Sequence, residues 1–192
     1  MICLTATLTK KSKQNIMKYL ALKGKETYTV DRHPLGSDVN LIVMDKNVLF
    51  SLETITAYFK LKMDTGRVIV FCRSIEDCAL TWRELRFTLG TEIMRVVTAE
   101  TEKCEKEEVI KDLQQADGKF RLVIATSTLS MGINIKGVEY VVQLGIPTSF
   151  EEFLQKCGRV GREGSTGYAI IYPWFKKVHP KTDKSPRKAN VG

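Results

Sequence analysis

The sequence predicts an α/β fold in which a parallel sheet is sandwiched between helices. Strand-like and helix-like runs alternate several times along the 192 residues. The strand-like runs are continuously apolar, as in Val68-Ile69-Val70-Phe71, and this is typical of strands buried on both faces. The runs between them have the amphipathic spacing of helices. Such an alternation favours a parallel sheet with helices on both of its faces.

The elements are expected in a regular order. Ile2 to Thr7 reads as a short strand, and a helix capped by Thr9 or Ser12 follows it. Ser74 and Ser149 are each placed to cap a later helix. Further strands are predicted at 39–44, 67–72, 93–97, 122–125, 140–144 and 168–172, and further helices at 49–63, 75–89, 103–116 and after Ser149.

Composition favours a globular protein in a reducing compartment. The chain is 43% hydrophobic and 27% charged, and it has neither a membrane-length apolar run nor an evident signal peptide. Its five cysteines are scattered and form no Cys-x-x-Cys pair, so neither a zinc site nor a disulfide framework is indicated. We expect buried free thiols, no membrane partner, and a nuclear or cytoplasmic protein with the nucleus favoured.

The charge is concentrated at the carboxyl end. Residues 174–192 hold six Lys/Arg and one Asp and so carry +5 of the net charge of +8. This segment is predicted to be a disordered basic tail that attracts nucleic acid without reading its sequence, or a solvated terminus or part of a transport signal. Residues 24–37 contain Gly24, Pro34 and Gly36 and are predicted to be a linker.

The stretch from Gln155 to Gly164 reads Gln-Lys-Cys-Gly-Arg-Val-Gly-Arg-Glu-Gly. Arg159 and Arg162 each follow a glycine directly after a short helix whose first turn, Ser149 to Glu152, resembles a capping box. Two guanidiniums on a tight turn suit phosphate oxygens, because the group is always charged and its fork matches them. The alternative interpretation is a basic surface turn closed by glycines.

Two other loops follow predicted strands. Thr126 and Ser130 lie in a run of small hydroxyl residues that leads to Gly132, and such a loop can hold a phosphate or can simply connect a strand to a helix. Arg73 and Ser74 follow the strand 67–72, where an arginine is more often a solvated rim residue than a ligand. In open parallel sheets, ligand sites lie at the carboxyl ends of strands. These loops and the stretch Gln155–Gly164, called the arginine turn below, are therefore expected on one rim of the sheet.

Four stretches together resemble motifs III to VI of superfamily 2 helicases, and within them the RecQ-like DNA helicases. They occur in helicase order and are Leu4–Thr7, Val70–Cys72, Ala125–Thr126 with Met131–Asn134, and Gln155–Gly164. The last two resemble RecQ-like proteins more than DEAD-box RNA helicases, whose motif VI usually has a histidine. The implied fold is RecA-like. Residues 1–23 would be a remnant of the first helicase lobe and 38–173 the C-terminal lobe.

The resemblance implies a role for each matching residue. Arg162 would be the arginine finger that stabilises charge on the transferring γ-phosphoryl group, with Arg159 beside it and Gln155 sensing the nucleotide. The remaining matches concern nucleic acid, nucleotide and coupling: Thr126, Ser130, Ser74 and Arg73 would contact DNA, Gly132 and Asn134 would bind nucleotide, with Asn134 where the family couples DNA to ATP, and Thr5 and Thr7 would link hydrolysis to strand movement.

Departures from the family pattern set the expected activity. The chain has no Gly-x-x-x-x-Gly-Lys-Ser/Thr loop and no Asp-Glu acidic box, so ATP and Mg²⁺ would be bound mainly by a first lobe that is missing here. The expected function is therefore that of the second lobe of a 3′-to-5′ DNA helicase of repair and recombination, a fragment that is inactive alone. The alternatives are a non-catalytic lobe that binds nucleic acid or a partner, and the lobe of an RNA helicase.

Overall fold

Six parallel strands form a single sheet in the computed structural model, which describes residues 10–19, 21, 38–44, 66–130, 135–158, 160–161 and 166–173. The order across the sheet is β1-β6-β5-β2-β4-β3. This confirms the predicted fold class. The strands are β1 (Val39–Val43), β2 (Arg67–Phe71), β3 (Met94–Val97), β4 (Leu122–Ala125), β5 (Val138–Leu144) and β6 (Gly167–Tyr172).

From β2 to β6, each strand is connected to the next by an α-helix or a 3-10 helix. Ser74 and Ser149 cap the helices that follow them, as predicted, because each hydroxyl oxygen accepts a hydrogen bond from the backbone amide three residues later. The Glu152 carboxylate does not complete a capping box, since it turns to Lys156. The α-helices are α1 (Lys10–Tyr19), α2 (Ile75–Leu89), α3 (Lys103–Leu113) and α4 (Phe150–Cys157), and a 3-10 helix spans Ser127–Ser130.

The core divides between the two faces of the sheet. Every residue of β2 is buried, and its side chains alternate between two hydrophobic clusters. Val68 and Val70 pack in the cluster that receives Leu85 of α2, whereas Ile69 and Phe71 pack in the cluster that receives Leu113 of α3. The continuous apolar run of β2 is therefore explained by helices on both of its sides.

Helix α4 packs over β6. Phe153, Leu154 and Cys157 are buried with Ala169. Ala169 pairs with Val141 of β5, which belongs to the same cluster as Leu113, so α4 and α3 cover the same face. Near the carboxyl end of α4, Lys156 reaches Gln143 of β5 and the Phe71 ring of β2, so this end lies close to the two central strands.

Arg67 fixes the opposite, amino end of the sheet. Its side chain is 1% exposed, and its guanidinium donates to the carbonyl oxygens of Asp112 and Leu113 at the end of α3. Further bonds reach Phe120 and Lys136, and the Asp112 carboxylate lies 3.6 Å away. The last carbonyls of a helix lack partners within the helix, so this arginine supplies them. Burial lowers the pKa of Arg67, and the charge of Asp112 opposes that shift.

Several expectations differ from the structure or lie outside the described residues. The helical spacing of the apolar residues in 75–89 predicts that Ile75 and Ala79 share a buried face with Cys78 and Leu85, but both are exposed. Helix α1 begins at Lys10 and contains no buried residue. The predicted strand at 2–7, helix at 49–63, linker and tail lie outside the described residues. Within the described part of the chain, no helix is both long enough and apolar enough to cross a membrane.

Candidate functional site

Three loops meet at the carboxyl ends of neighbouring strands. β2 lies between β5 and β4 in the sheet, so the segments that follow these strands share one rim, as the sequence predicts. A small polar cavity of about 40 Å³ opens there. Its lining comes from all three loops, the end of β5 and α4: Cys72, Arg73, Ser127, Gln143, Ile146, Pro147, Thr148, Glu152 and Lys156.

Arg73 is exposed on this rim and lies across Gly145, the first residue after β5. A Cβ atom added to Gly145 would overlap Arg73 Cδ and come within 3.1 Å of Arg73 Cγ. Gly145 also has φ +81°, a conformation that favours glycine. The absence of a side chain at 145 therefore gives Arg73 its place on the rim.

Ser74 has a structural task. Its hydroxyl oxygen accepts a hydrogen bond of 3.1 Å from the Asp77 amide and so caps α2. Ser74 lies shortly after the end of β2, at the position predicted from the sequence.

Thr126 follows β4 directly and is partly buried. Its amide bonds the Val97 carbonyl at 3.2 Å, and its hydroxyl lies 3.1 Å from that of Thr128. Leu129 is 1% exposed and anchors the 3-10 turn to the core. Thr126 is thus held on the rim as predicted. Ser130 ends this turn and its side chain is outside the described set, as are Gly132 and Asn134.

Lys156 was not predicted as a site residue from the sequence, yet it is the most deeply buried charged residue in the cavity lining. It is 3% exposed, and its ammonium lies 2.9 Å from Glu152 Oε1 and donates to Gln143 Oε1 at 3.2 Å. The same ammonium stands 4.7 Å from the centre of the Phe71 ring. The available signals were the spacing of Glu152 and Lys156 by one helical turn, and a glutamine inside an apolar strand.

Helix α4 ends at Cys157, inside the arginine turn, and the chain continues through Gly158 and Gly161. Gly158 donates to Leu154 O at 2.8 Å and Val160 donates to Cys157 O at 3.0 Å, so the chain folds back tightly. Val160 is 3% exposed, and Gly161 has φ +67°. Gln155 is exposed on the last turn of α4. The other predicted site residues, Arg159, Arg162, Thr5 and Thr7, lie outside the described residues.

The buried thiols near the site are not reactive nucleophiles. Cys157 is fully buried, and burial raises its pKa to about 12. Cys72 lines the cavity, and its side-chain hydrogen bond to Cys78, together with burial, raises its pKa as well. Because the thiolate is the reactive form, both sulfurs are inert near neutral pH.

The donors on the rim fit an oxyanion better than a metal ion. The cavity lining includes the Arg73 guanidinium, the hydroxyls of Ser127 and Thr148, and the buried Lys156 ammonium, which is paired with the Glu152 carboxylate. Such donors suit phosphate oxygens. Among the described residues, no group of three or more His, Cys, Asp or Glu side chains could hold a metal. The guanidinium and hydroxyl donors of this rim therefore fit contacts to phosphate.

The sequence and the structure are similar to those of known proteins. The profile of the helicase conserved C-terminal domain matches residues 50–164. DEAD-box ATP-dependent RNA helicase 40 of Oryza sativa subsp. japonica is 26% identical over 72% of this chain and 18% of its own length. The chain spans about a fifth or less of the curated relatives it matches.

Two solved structures share the fold at low identity. S. cerevisiae Dbp5 bound to RNA and ADP BeF3 superposes with a TM-score of 0.67 at 21% identity, covering 90% of this chain and 44% of that one. The DUF1998 helicase MrfA bound to DNA and AMPPNP has a TM-score of 0.53 at 21% identity, covering 69% of this chain and 19% of that one.

Proposed function

The chain belongs to the helicase conserved C-terminal domain family of superfamily 2, and from this premise we propose that it is the second lobe of an ATP-dependent helicase. The observation that carries the proposal is the shared rim, where the loops after β2, β4 and β5 meet. With a phosphate-binding rim beside the Gly-Arg-Val-Gly-Arg turn, this lobe can add positively charged donors to a nucleotide site that a first lobe mainly forms. In this proposal residues 38–173 form the lobe and 1–23 belong to its neighbour.

In this proposal the arginine turn faces the nucleotide. Arg162 is the finger that stabilises charge on the γ-phosphoryl group, and Arg159 and Gln155 lie next to it. ATP, when bound, supplies the phosphoryl group whose transfer releases the energy for movement. We place the metal and most of the nucleotide contacts in a first lobe, because the sequence has neither a Gly-x-x-x-x-Gly-Lys-Ser/Thr loop nor an Asp-Glu box.

The nucleic acid lies on the other half of the rim. Thr126, held at the end of β4, and Arg73, laid across Gly145, contact backbone phosphates. Ser74 and Ser130 extend this surface. We keep Gly132 and Asn134 as the link between this surface and the nucleotide, and Thr5 and Thr7 as coupling residues from the first lobe.

RNA is the first candidate for the nucleic acid. The relatives that support it carry the names of RNA helicases, among them ATP-dependent RNA helicase DBP2 of Debaryomyces hansenii. The narrower expectation of a RecQ-like DNA helicase is not supported by these relatives. Single-stranded DNA is nevertheless the second candidate, because Gln155 stands where DEAD-box proteins usually have a histidine and because Met131–Asn134 reads as in RecQ-like proteins.

Steady-state ATP hydrolysis tests the proposal. The chain alone is expected to be inactive, because it lacks the phosphate-cradling loop and the magnesium ligands. Preceded by a compatible first lobe, it should hydrolyse ATP in response to a single strand, and comparison of RNA with DNA of the same sequence separates the two candidates. Arg162→Lys should impair the activity strongly, since lysine keeps the charge but loses the planar fork.

Arg83→Lys is the matched control, because Arg83 is a half-exposed arginine on α2 whose partner is Glu84. It should hydrolyse ATP as the unmodified protein does. Equal activity in Arg162→Ala and in the unmodified protein would remove the finger assignment. Robust hydrolysis by the chain without any first lobe would refute the division of labour between two lobes.

A further inference from the structure

We infer that Gly167 is a positioning residue for the arginine turn. The inference rests on the proposed function, since it concerns how Arg159 and Arg162 are presented to the nucleotide. Gly167 is the first residue of β6. It lies outside the Gln155–Gly164 stretch, and the sequence alone gave it no role.

Gly167 and the turn are in direct contact. A Cβ atom added to Gly167 would overlap Val160 Cγ1, approach Gly161 N to 2.6 Å and approach Gly161 Cα to 3.0 Å. Real Cβ atoms essentially never come that close to backbone. The turn therefore packs against the bare backbone of β6, and only glycine at 167 permits the approach.

Neither side of this contact can easily move away. Val160 is 3% exposed and packs in the same cluster as Phe71 and Val141, and a β-branched side chain has few rotamers to choose from. Gly167 pairs with Val39 of β1, and its amide donates to Asp38 O at 2.8 Å. A methyl group at 167 would thus push the backbone at Gly161 outward instead of being absorbed.

The displaced backbone is the backbone that carries the arginines. Arg159 precedes Val160 and Arg162 follows Gly161 directly in the chain. Catalytic groups must be held close to their productive geometry, and a misplacement of about 1 Å can lower a rate by about 100-fold. Gly167 acts through the turn and does not touch the reacting atoms.

The test is Gly167→Ala in the protein preceded by its first lobe, measured by nucleic-acid-stimulated ATP hydrolysis. We expect kcat to fall by about 100-fold while KM for ATP stays within about twofold, because an interaction made only in the transition state affects kcat and kcat/KM equally. Gly66→Ala is the matched control. Gly66 directly precedes β2, and the three atoms nearest to its added Cβ belong to the carboxylate of Glu139, the far end of a flexible side chain, and not to the backbone.

Val160→Ala/Gly167→Ala distinguishes positioning from loss of folding. Removing Val160 Cγ1 relieves the worst overlap, so the double variant should regain part of the lost kcat. A general loss of stability predicts the opposite, because Val160→Ala removes buried methyl groups and would add to the damage. Absence of recovery, or a Gly167→Ala protein as active as Gly66→Ala, would overturn the positioning role. An unmodified two-lobed protein without stimulated hydrolysis would instead overturn the proposed function.

Discussion

The Lys156 ammonium lies 2.9 Å from Glu152 Oε1, one turn earlier on the same helix, and the two partners are buried to different degrees. The lysine side chain is 4% exposed and the glutamate side chain 26%. Water can therefore still reach the carboxylate but hardly the ammonium. This difference in burial determines which substitution lowers the stability of the fold more, because a buried charge without its partner is strongly destabilising.

Glu152→Ala should destabilise the lobe more than Lys156→Met does. Removal of the acid leaves the buried ammonium with Gln143 and the Phe71 ring, and stranding a buried charge costs about 3–5 kcal/mol. Lys156→Met leaves a carboxylate that solvent can hydrate. Urea unfolding measures both, with Glu151→Ala as the control that removes a first-turn acid outside this pair. The reverse order of stabilities would contradict the argument.

Arg67→Met should be among the most destabilising substitutions in the described lobe. It removes the buried guanidinium that donates to four backbone carbonyl groups and faces the Asp112 carboxylate, which keeps the amides of Lys119 and Phe120 as donors. Removing one partner of a buried charged network costs about 3–5 kcal/mol. The control is Arg83→Met at a half-exposed pair, for which the urea midpoint should hardly move. Similar midpoints for the two variants would show that Arg67 contributes little.

Gly145→Ala should weaken single-strand binding by the protein as much as Arg73→Met does. The new Cβ would displace the arginine side chain, so both variants lose one phosphate contact, and the slope of log affinity against log salt should flatten by about one. Fluorescence anisotropy with a labelled strand measures this.

Gly137→Ala isolates the backbone effect of that substitution. Gly137 has φ +66° and no atom within 4 Å of an added Cβ, so it carries the same strain without a displaced arginine. Its binding should match that of the unmodified protein. If it weakened binding equally, the effect of Gly145→Ala would be one of strain alone.

The stability of the lobe should fall above pH 9 partly because of Cys157. Burial raises its folded pKa to about 12 from an ordinary value of 9.0, so between these values the folded state binds more protons than the unfolded state. The stabilisation is complete below pH 9 and is lost as the pH rises toward 12. Urea unfolding between pH 8 and about 10.5 should show a shallower decline for Cys157→Ala. Cys104→Ala, at an exposed thiol, is the control.

The sheet could be predicted from the sequence because a strand that is buried on both faces appears as a continuous run of apolar residues. β2 and β4 contain short unbroken apolar runs, and the structure places them side by side in the interior of the sheet, with neither at an edge. The caps Ser74 and Ser149 were also predictable, since capping depends on residues only three positions apart. The shared rim followed from the rule for parallel strands.

The details of the site depend on contacts that sequence spacing does not reveal. Arg73 meets Gly145 across two strands, and Lys156 meets Gln143 from a helix to a strand. Gly167 approaches Val160 only because β6 returns beneath the turn. Lysines are usually exposed, so the burial of Lys156 could not be predicted from its residue type. It is buried because Glu152 and Gln143 both bind its ammonium.

The pairing of β1 with β6 has a consequence for how the chain is made. β1 is the first strand of the sheet to leave the ribosome, and the partner that it bonds, β6, is the last. Contacts so far apart in sequence form late, because closing the intervening chain costs entropy before any bond is gained. Until then Leu41, Ile42 and Val43 form an apolar strand without its ladder. A translation product that stops before Gly167 would keep that strand unpaired, and unpaired strand edges invite aggregation.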